Sequence, residues 1–217
     1  MNSPQTKEIS VPFSGSGSAP KYGVILLAAG ASSRMGKPKQ LLEYQGFPLI
    51  VRAVNAALAS SAWPIVVVLG ADAPLIRPLL ARLPVLVVEN PRWPEGMASS
   101  LQTGLTQLDR FSLSLDGALI SVVDQPHFSA TVIAKLIAGL TPDKTLASAR
   151  YAGRLGVPAL FSRRHFDELR ALQGAEGARQ ILAAHSSQVA AVDFPELAID
   201  LDTPADYESL LDQKPAL

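Results

Sequence analysis

Residues 23–46, GVILLAAGASSRMGKPKQLLEYQG, pass from an apolar run into a turn of small residues and then into cations. Gly23–Ala28 has the character of a buried strand. Ala28 to Ser33 are all small, and Arg34, Lys37 and Lys39 follow within six positions. Small residues let the backbone approach a ligand closely, and unpaired N–H groups in such a turn cradle an anion. Basic side chains directly after it supply countercharge for a polyphosphate. Strand, small-residue loop and cations, in that order, are what a nucleotide triphosphate needs at the carboxyl end of a sheet strand. The segment therefore points to nucleotidyl transfer; taken alone, it also fits a surface turn with solvated cations.

Two other phosphate loops are excluded. A Walker A loop, G-x-x-x-x-G-K-[ST], needs a hydroxyl after its lysine, whereas five residues separate Gly30 from Gly36 and Pro38 follows Lys37. The dinucleotide fingerprint G-x-G-x-x-G is absent after this strand.

Working outward, 217 residues with 48% hydrophobic content suit one domain with a sizeable core. Nineteen basic and nineteen acidic residues cancel, so neither nucleic acid nor an anionic membrane surface is expected as a partner. The cations at 34–39 are a local feature. Zero cysteines exclude disulfides, thiolate nucleophiles and Cys-ligated metals. His127, His165 and His185 lie far apart and show no metal-ligand spacing. Apolar runs such as 23–31 and 65–71 are too short to cross a bilayer, and the N-terminus lacks a signal pattern, so a cytoplasmic location is expected. Residues 1–20, rich in Ser, Gly and Pro, read as a flexible leader, with the folded domain over 21–217.

Strands are expected at Val24–Leu27, Ile65–Leu69, Val85–Val88, Ala118–Val123 and Leu146–Ala149, each apolar enough to be buried on both faces. Helical spacing marks Leu49–Ala59, Pro74–Leu83, Ala98–Leu108 and Ala130–Leu140. The alternation predicts a mostly parallel, doubly wound α/β sheet. Further on, Val157–Phe161 and Val189–Val192 read as strands and Arg163–Ala171 and Gly177–Ala184 as helices. Ile199–Leu201 reads as a brief strand before a last helix from Thr203-Pro204 to Leu211.

Asp124 ends the run Ala118–Val123, on the sheet edge that carries the Gly30 loop. It either holds Mg²⁺ on phosphates or caps the turn before helix 130–140. In Asp200-Leu201-Asp202 a strand would put both carboxylates on one face, where one of them completes a magnesium clamp with Asp124. Equally, Asp202 or Thr203 is placed to cap the helix at Pro204. In NPRWPEGMASSLQ (90–102), Gly96 and Ser99-Ser100 are candidates for a nucleobase edge, or simply a loop feeding a helix; Trp93 fits stacking or packing. No G-x-S-x-G elbow follows a strand, and His165 and His185 read as surface or satisfied histidines.

Together, LLAAGASSRMGKPKQLL (26–42), NPRWPEGMASSLQTGL (90–105), VVDQPHF (122–128), GVPALFSRRHFDEL (156–169), GAEGAR (174–179) and DLDTPADYESL (200–210) resemble the nucleotidyltransferases that activate molybdopterin, most closely the molybdenum cofactor cytidylyltransferases. The resemblance covers essentially all of 21–211. It implies a Rossmann-like three-layer sandwich, the nucleotide-diphospho-sugar transferase fold. It also implies transfer of CMP from CTP to the terminal phosphate of molybdopterin, with Mg²⁺ or Mn²⁺ as cofactor and a molybdoenzyme as recipient. On this resemblance Leu27, Ala28, Ala29 and Gly30 hold base and ribose, Arg34 and Lys39 bind the triphosphate, and Gly96 and Ser100 contact the base. Asp124 is the main metal ligand and Asp202, less readily Asp200, the second. Gly156, Pro158 and the 174–179 loop would border the acceptor pocket.

Guanylyl-transferring relatives typically read Ala-Gly-Gly where this chain has Ala28-Ala29-Gly30, which favours CTP: the extra methyl of Ala29 narrows the space for a purine, and unmatched polar edges penalise the wrong base. One departure stands out. The usual Gly-Asp-x-Gly-Ala-Arg reads Gly174-Ala175-Glu176-Gly177-Ala178-Arg179, without the acidic residue at its place. A transferase for another phosphorylated acceptor, a guanylyltransferase, or a non-catalytic nucleotide or molybdopterin carrier are the competing readings.

Overall fold

A computed structural model describes residues 19–112, 114–199 and 201–212. Residues 1–18 of the expected leader and Asp200 lie outside the described residues. The strands are β1 (Tyr22–Ala28), β2 (Glu43–Tyr44), β3 (Phe47–Pro48), β4 (Ile65–Leu69), β5 (Leu86–Glu89), β6 (Gly117–Val122), β7 (Leu146–Tyr151), β8 (Arg154–Ser162) and β9 (Val189–Asp193). The helices are α1 (Leu49–Leu58), α2 (Ala73–Leu80), α3 (Met97–Phe111), α4 (Ala130–Gly139), α5 (Phe166–Ala171), α6 (Ala178–Ala184) and α7 (Pro204–Asp212). No described helix is long and apolar enough to cross a membrane.

Seven strands form one sheet in the order β5-β4-β1-β6-β8-β7-β9. It is mostly parallel; β8 runs against both its neighbours. Alternation along the strands explains their unbroken apolar runs. Val24, Leu26 and Ala28 of β1, with Ile65, Val67 and Leu69 of β4, pack on α1, α2 and α4. The residues between them, Ile25, Leu27, Val66 and Val68, pack on α3, with α5 and α6 on the same face. Both faces of the sheet are thus covered, as a parallel sheet requires, and the three-layer α/β architecture expected from the sequence is present.

The chain leaves β1 toward β4 on one side and returns through α3 to β6 on the other. This reversal opens a crevice at the carboxyl ends of β1 and β6, where doubly wound sheets bind ligands. The pairing Leu27↔Val122 sets the loop after Ala28 beside the turn after Val122.

Three local features differ from the sequence expectation. Leu146–Ala149 and Val157–Phe161 extend into a hairpin, β7–β8, turned by Ala152-Gly153 with φ of +47° and +72°. Gln45-Gly46, both at positive φ, turn the small β2–β3 hairpin, which apolar periodicity did not reveal. The strand expected at Ile199–Leu201 is absent: Pro195–Ala198 forms a 3-10 turn, and Ile199 and Leu201 are not in a strand. Leu201 is held by burial, packing with Met35, Leu42, Tyr44, Leu49 and Leu210 in a small third cluster beneath the basic loop.

Helix α3 approaches β1 and β4 closely at Gly104. A Cβ there falls 2.6 Å from Ile25 Cγ2 and 3.2 Å from Val68 Cγ2. Gly104→Ala gains about 1 kcal/mol in helix propensity but overpacks a rigid branched side chain at about 1–3 kcal/mol. We expect a net loss of about 1 kcal/mol, read as a lowered midpoint in denaturant unfolding; an unchanged or raised midpoint contradicts the close packing.

Candidate active site

A cavity of about 410 Å³ opens at the carboxyl edge of β1 and β6. Leu27, Ala28, Ala29, Gly30, Arg34, Lys39, Gly96, Ser100, Asp124 and Asp202 all line it. These ten, the residues assigned from the sequence to nucleotide and metal, therefore meet in one place.

The loop after β1 is braced from within. Gln40, 3% exposed, donates Nε2–H to the carbonyls of Ala28 and Gly30, both at 3.0 Å. Ser32, at φ +50°, accepts Lys39 N–H on Oγ at 3.0 Å. Met35 is buried in the third cluster and anchors the loop from below. This bracing delivers Lys39 inward, where Nζ donates to Asp202 Oδ1 at 2.6 Å and to Asp124 Oδ2 at 3.1 Å. Arg34, mostly exposed, adds an ion pair to Asp202 Oδ2 at 3.1 Å. Burial works against the Lys39 ammonium, but the hydrogen bonds and charges of Asp202 and Asp124 outweigh it and raise its pKa above the ordinary lysine value. The Lys39 hydrogen bond, opposed by partial burial and helped by the charges of Lys39 and Arg34, holds the Asp202 carboxyl below the usual range.

Both carboxylates escape the capping roles that the sequence left open. Ser129 caps α4, its Oγ accepting Val132 N–H, and the Asp124 carboxylate takes its hydrogen bond from Lys39 rather than from the turn that follows it. At α7 a capping box forms between Thr203 and Asp206: Asp206 Oδ2 accepts Thr203 N–H at 2.7 Å, and Thr203 Oγ1 accepts Asp206 N–H at 3.3 Å. Asp206 also accepts Asp202 N–H. The side chain of Asp202 is left to face Lys39.

The opposite wall comes from the loop before α3. Asn90, 1% exposed, donates Nδ2–H to Ser99 Oγ at 2.8 Å and Ser100 Oγ at 3.0 Å, and accepts Arg92 N–H. Ser99 passes its hydrogen to the Arg92 and Gly96 carbonyls. Gly96 has φ +114° and presses against the Gly174 carbonyl, so its lack of a side chain serves the backbone. Trp93 and Met97 complete this wall.

Gln40 and Asn90 were not singled out from the sequence, because a buried polar brace has no periodic signature. Lys37 does not join the cavity lining; its Nζ lies 5.2 Å from the Tyr207 ring centroid. Nor do Gly156, Pro158 and residues 174–179 line it. The 174–177 segment supports the Gly96 wall from behind, with Ala98 N–H donated to the Gly174 carbonyl at 3.2 Å. Glu176 closes its own turn, its Oε2 accepting Gln173 N–H at 2.7 Å.

The profile of the MobA-like NTP transferase domain matches residues 24–189. Nicotine blue oxidoreductase of Paenarthrobacter nicotinovorans is 34% identical over 142 residues, 65% of this chain and 67% of that protein. Purine catabolism protein PucB of Bacillus subtilis is 30% identical over 200 residues, 85% of this chain and 93% of its own. A probable molybdenum cofactor guanylyltransferase of Trichormus variabilis is 29% identical over 189 residues, 84% and 86% of the two chains. Among solved structures, Rv0371c of Mycobacterium tuberculosis H37Rv superposes with a TM-score of 0.77 at 29% identity, over 90% of this chain and all of that one. Rv0371c has also been solved in complex with manganese.

Because the Asp202 carboxyl is depressed, its ion pairs stabilise the fold above the ordinary carboxylate pKa, and that stability is lost as pH falls through the lowered value. Asp202→Asn should cost below about 1 kcal/mol at pH 7, a small figure because the side chain is 41% exposed and screened. The difference from the parent should shrink below about pH 4. Thermal melts of both proteins across pH measure it; a difference that persists in acid refutes the ion-pair origin.

Proposed function

The chain belongs to the MobA-like NTP transferase family, and from that premise we propose that it transfers CMP from CTP to the terminal phosphate of molybdopterin, releasing pyrophosphate. The observation that carries this reading is the meeting of Asp124 and Asp202 on Lys39 Nζ, with Arg34 alongside.

An ammonium already sits between two carboxylates there, so the place suits positive charge, and its oxygen-only donor set fits a hard divalent ion. Asp124 and Asp202 would hold Mg²⁺, or Mn²⁺ in its stead, which when bound neutralises charge on the triphosphate. Lys39 and Arg34 bind phosphate oxygens. The loop Leu27–Gly30 and the Gly96–Ser100 wall hold ribose and base. The acceptor's terminal phosphate, whose second pKa is about 6, is a competent nucleophile near neutral pH and needs no general base. One of its oxygens attacks the α-phosphorus of CTP, the α–β bridging bond breaks, and the β- and γ-phosphates leave together as pyrophosphate. Alignment and countercharge from Arg34 and Lys39 are the protein's contribution.

Support for cytosine comes from the floor of the cavity. Ala29 lines it, and its methyl lies beside Gly70, where a Cβ would come within 2.8 Å of it. A residue larger than glycine at this lining position takes room that a bulkier purine would need. Transfer of GMP from GTP is the second reading, favoured by the naming of the Trichormus relative as a probable guanylyltransferase.

We expect pyrophosphate release with CTP, Mg²⁺ and molybdopterin, and far less with GTP, ATP or UTP. GTP preference would retain the mechanism and discard the base assignment; silence with all four would reject transfer to this acceptor. Asp124→Ala and Lys39→Ala should each lower kcat by about 10²-fold or more with a smaller change in KM. Normal turnover by a folded Asp124→Ala protein would refute the proposed ligand role.

A further inference from the structure

Away from the cavity, three side chains without ligand spacing in the sequence come together. His165 ends the 3-10 turn Arg163–His165 that leads into α5, Glu168 lies in the first turn of α5, and His185 follows α6. One carboxylate takes both imidazoles: Glu168 Oε1 lies 2.9 Å from His165 Nδ1, and Oε2 lies 2.6 Å from His185 Nε2. The three ligand atoms are within 4.8 Å of one another, and the rings meet edge-on with centroids 4.9 Å apart.

The outer nitrogens are also held. His165 Nε2 is 2.9 Å from Thr145 Oγ1, and His185 Nδ1 accepts Gln188 Nε2–H at 3.4 Å. Thr145 Oγ1 is itself 2.9 Å from that amide. This shared brace couples the two rings. If Thr145 gives its hydrogen to Gln188 Oε1, His165 Nε2–H must donate to Thr145, and a neutral His165 then turns a bare Nδ1 to the carboxylate. As placed, the Gln188 amide nitrogen donates to His185 Nδ1, so His185 shows Nε2–H to the carboxylate; turning the amide over lets its oxygen accept His185 Nδ1–H and bares Nε2. Thr145, with two lone pairs, can meanwhile accept from both the amide and His165. In that tautomer both inner lone pairs face one carboxylate, an arrangement that suits a cation.

We propose that His165 Nδ1, His185 Nε2 and the Glu168 carboxylate bind a zinc-type divalent ion. Two imidazoles and one carboxylate are a borderline donor set suited to Zn²⁺, unlike the oxygen-only pair at the active site. Thr145 and Gln188 act as the outer partners that orient ligating histidines. The His165 side chain is 3% exposed, whereas those of His185 and Glu168 are 27% and 43% exposed, which admits an ion and a water. The ion would tie the start of α5 to the end of α6. The segment between those helices carries the Gly174 carbonyl that accepts Ala98 N–H behind the active-site wall.

The test is Zn²⁺ titration by calorimetry on the chelator-stripped full chain, with Co²⁺ absorption as a second readout. An Asp124→Asn/Asp202→Asn variant keeps the active-site carboxylates from contributing. We expect one ion per chain with Kd at or below about micromolar, retained in that variant together with a tetrahedral Co²⁺ spectrum and a raised melting temperature. His185→Gln and Glu168→Gln, at partly exposed positions, should abolish it in proteins whose circular dichroism is unchanged. Thr145→Ala should weaken it about 10- to 100-fold. Absence of binding in the double Asn variant would mean that a proton alone matches the carboxylate, and would overturn the site. So would binding that His185→Gln leaves intact.

Discussion

Two carboxylates that the chain separates widely meet on one ammonium, and the active-site edge is arranged around that contact. Asp124 and Asp202 stand 85 and 163 positions from Lys39, yet both lie within 3.1 Å of its Nζ. Like charges this close repel unless a cation lies between them, so the edge is stable only while positive charge is present. Lys39 supplies it here. In the proposed reaction Lys39 is drawn toward phosphate, and the carboxylates then require another cation in its place. In that reaction nucleotide and divalent ion would be linked, each making room for the other, with neither carboxylate left isolated.

The scaffold that holds this contact is built from short-range devices stacked on a long-range core. The sheet register brings the β1 loop beside the β6 turn. Asp202 arrives from the far end of the chain because Leu201 and Leu210 bury against Met35 and Leu42 beneath the loop. Tyr207 adds a hydrogen bond to the Glu43 carbonyl. The Thr203–Asp206 box satisfies the first turn of α7 and spares Asp202 that duty. Burial thus brings Asp202 to the site, and capping by neighbours leaves its charge available there.

Much of this was legible in the sequence because the signals are local or strongly periodic. An apolar run followed by small residues and cations has one economical interpretation, and Ile65–Leu69 emerged as a strand with the bounds expected. The misses have a common cause. Buried braces such as Gln40 and Asn90 leave no periodic trace, and the hairpin turns at Gln45-Gly46 and Ala152-Gly153 require positive φ at a residue, Gln or Ala, that does not advertise it. Ile199–Leu201 looked like a strand because alternation of apolar and acidic residues mimics one; the burial of Leu201 accounts for the pattern without a ladder. The His165–Glu168–His185 group was invisible because His185 reaches the neighbouring His165 and Glu168 only through the packing of α5 and α6.

The altered 174–179 segment shows how the two halves of the cavity are supported independently. Its glycine carbonyl braces the α3 entry and its glutamate closes its own turn, so neither reaches the carboxylates around Lys39. Replacing an acidic residue by Ala175 removes charge from the side of the molecule that leans on Gly96 and leaves the Lys39 contact untouched. The half of the cavity braced by Gln40, Met35 and the ion pairs can therefore persist while the flanking segment diverges. In the proposed reaction, specificity for the acceptor could then shift without disturbing the residues proposed to hold the triphosphate.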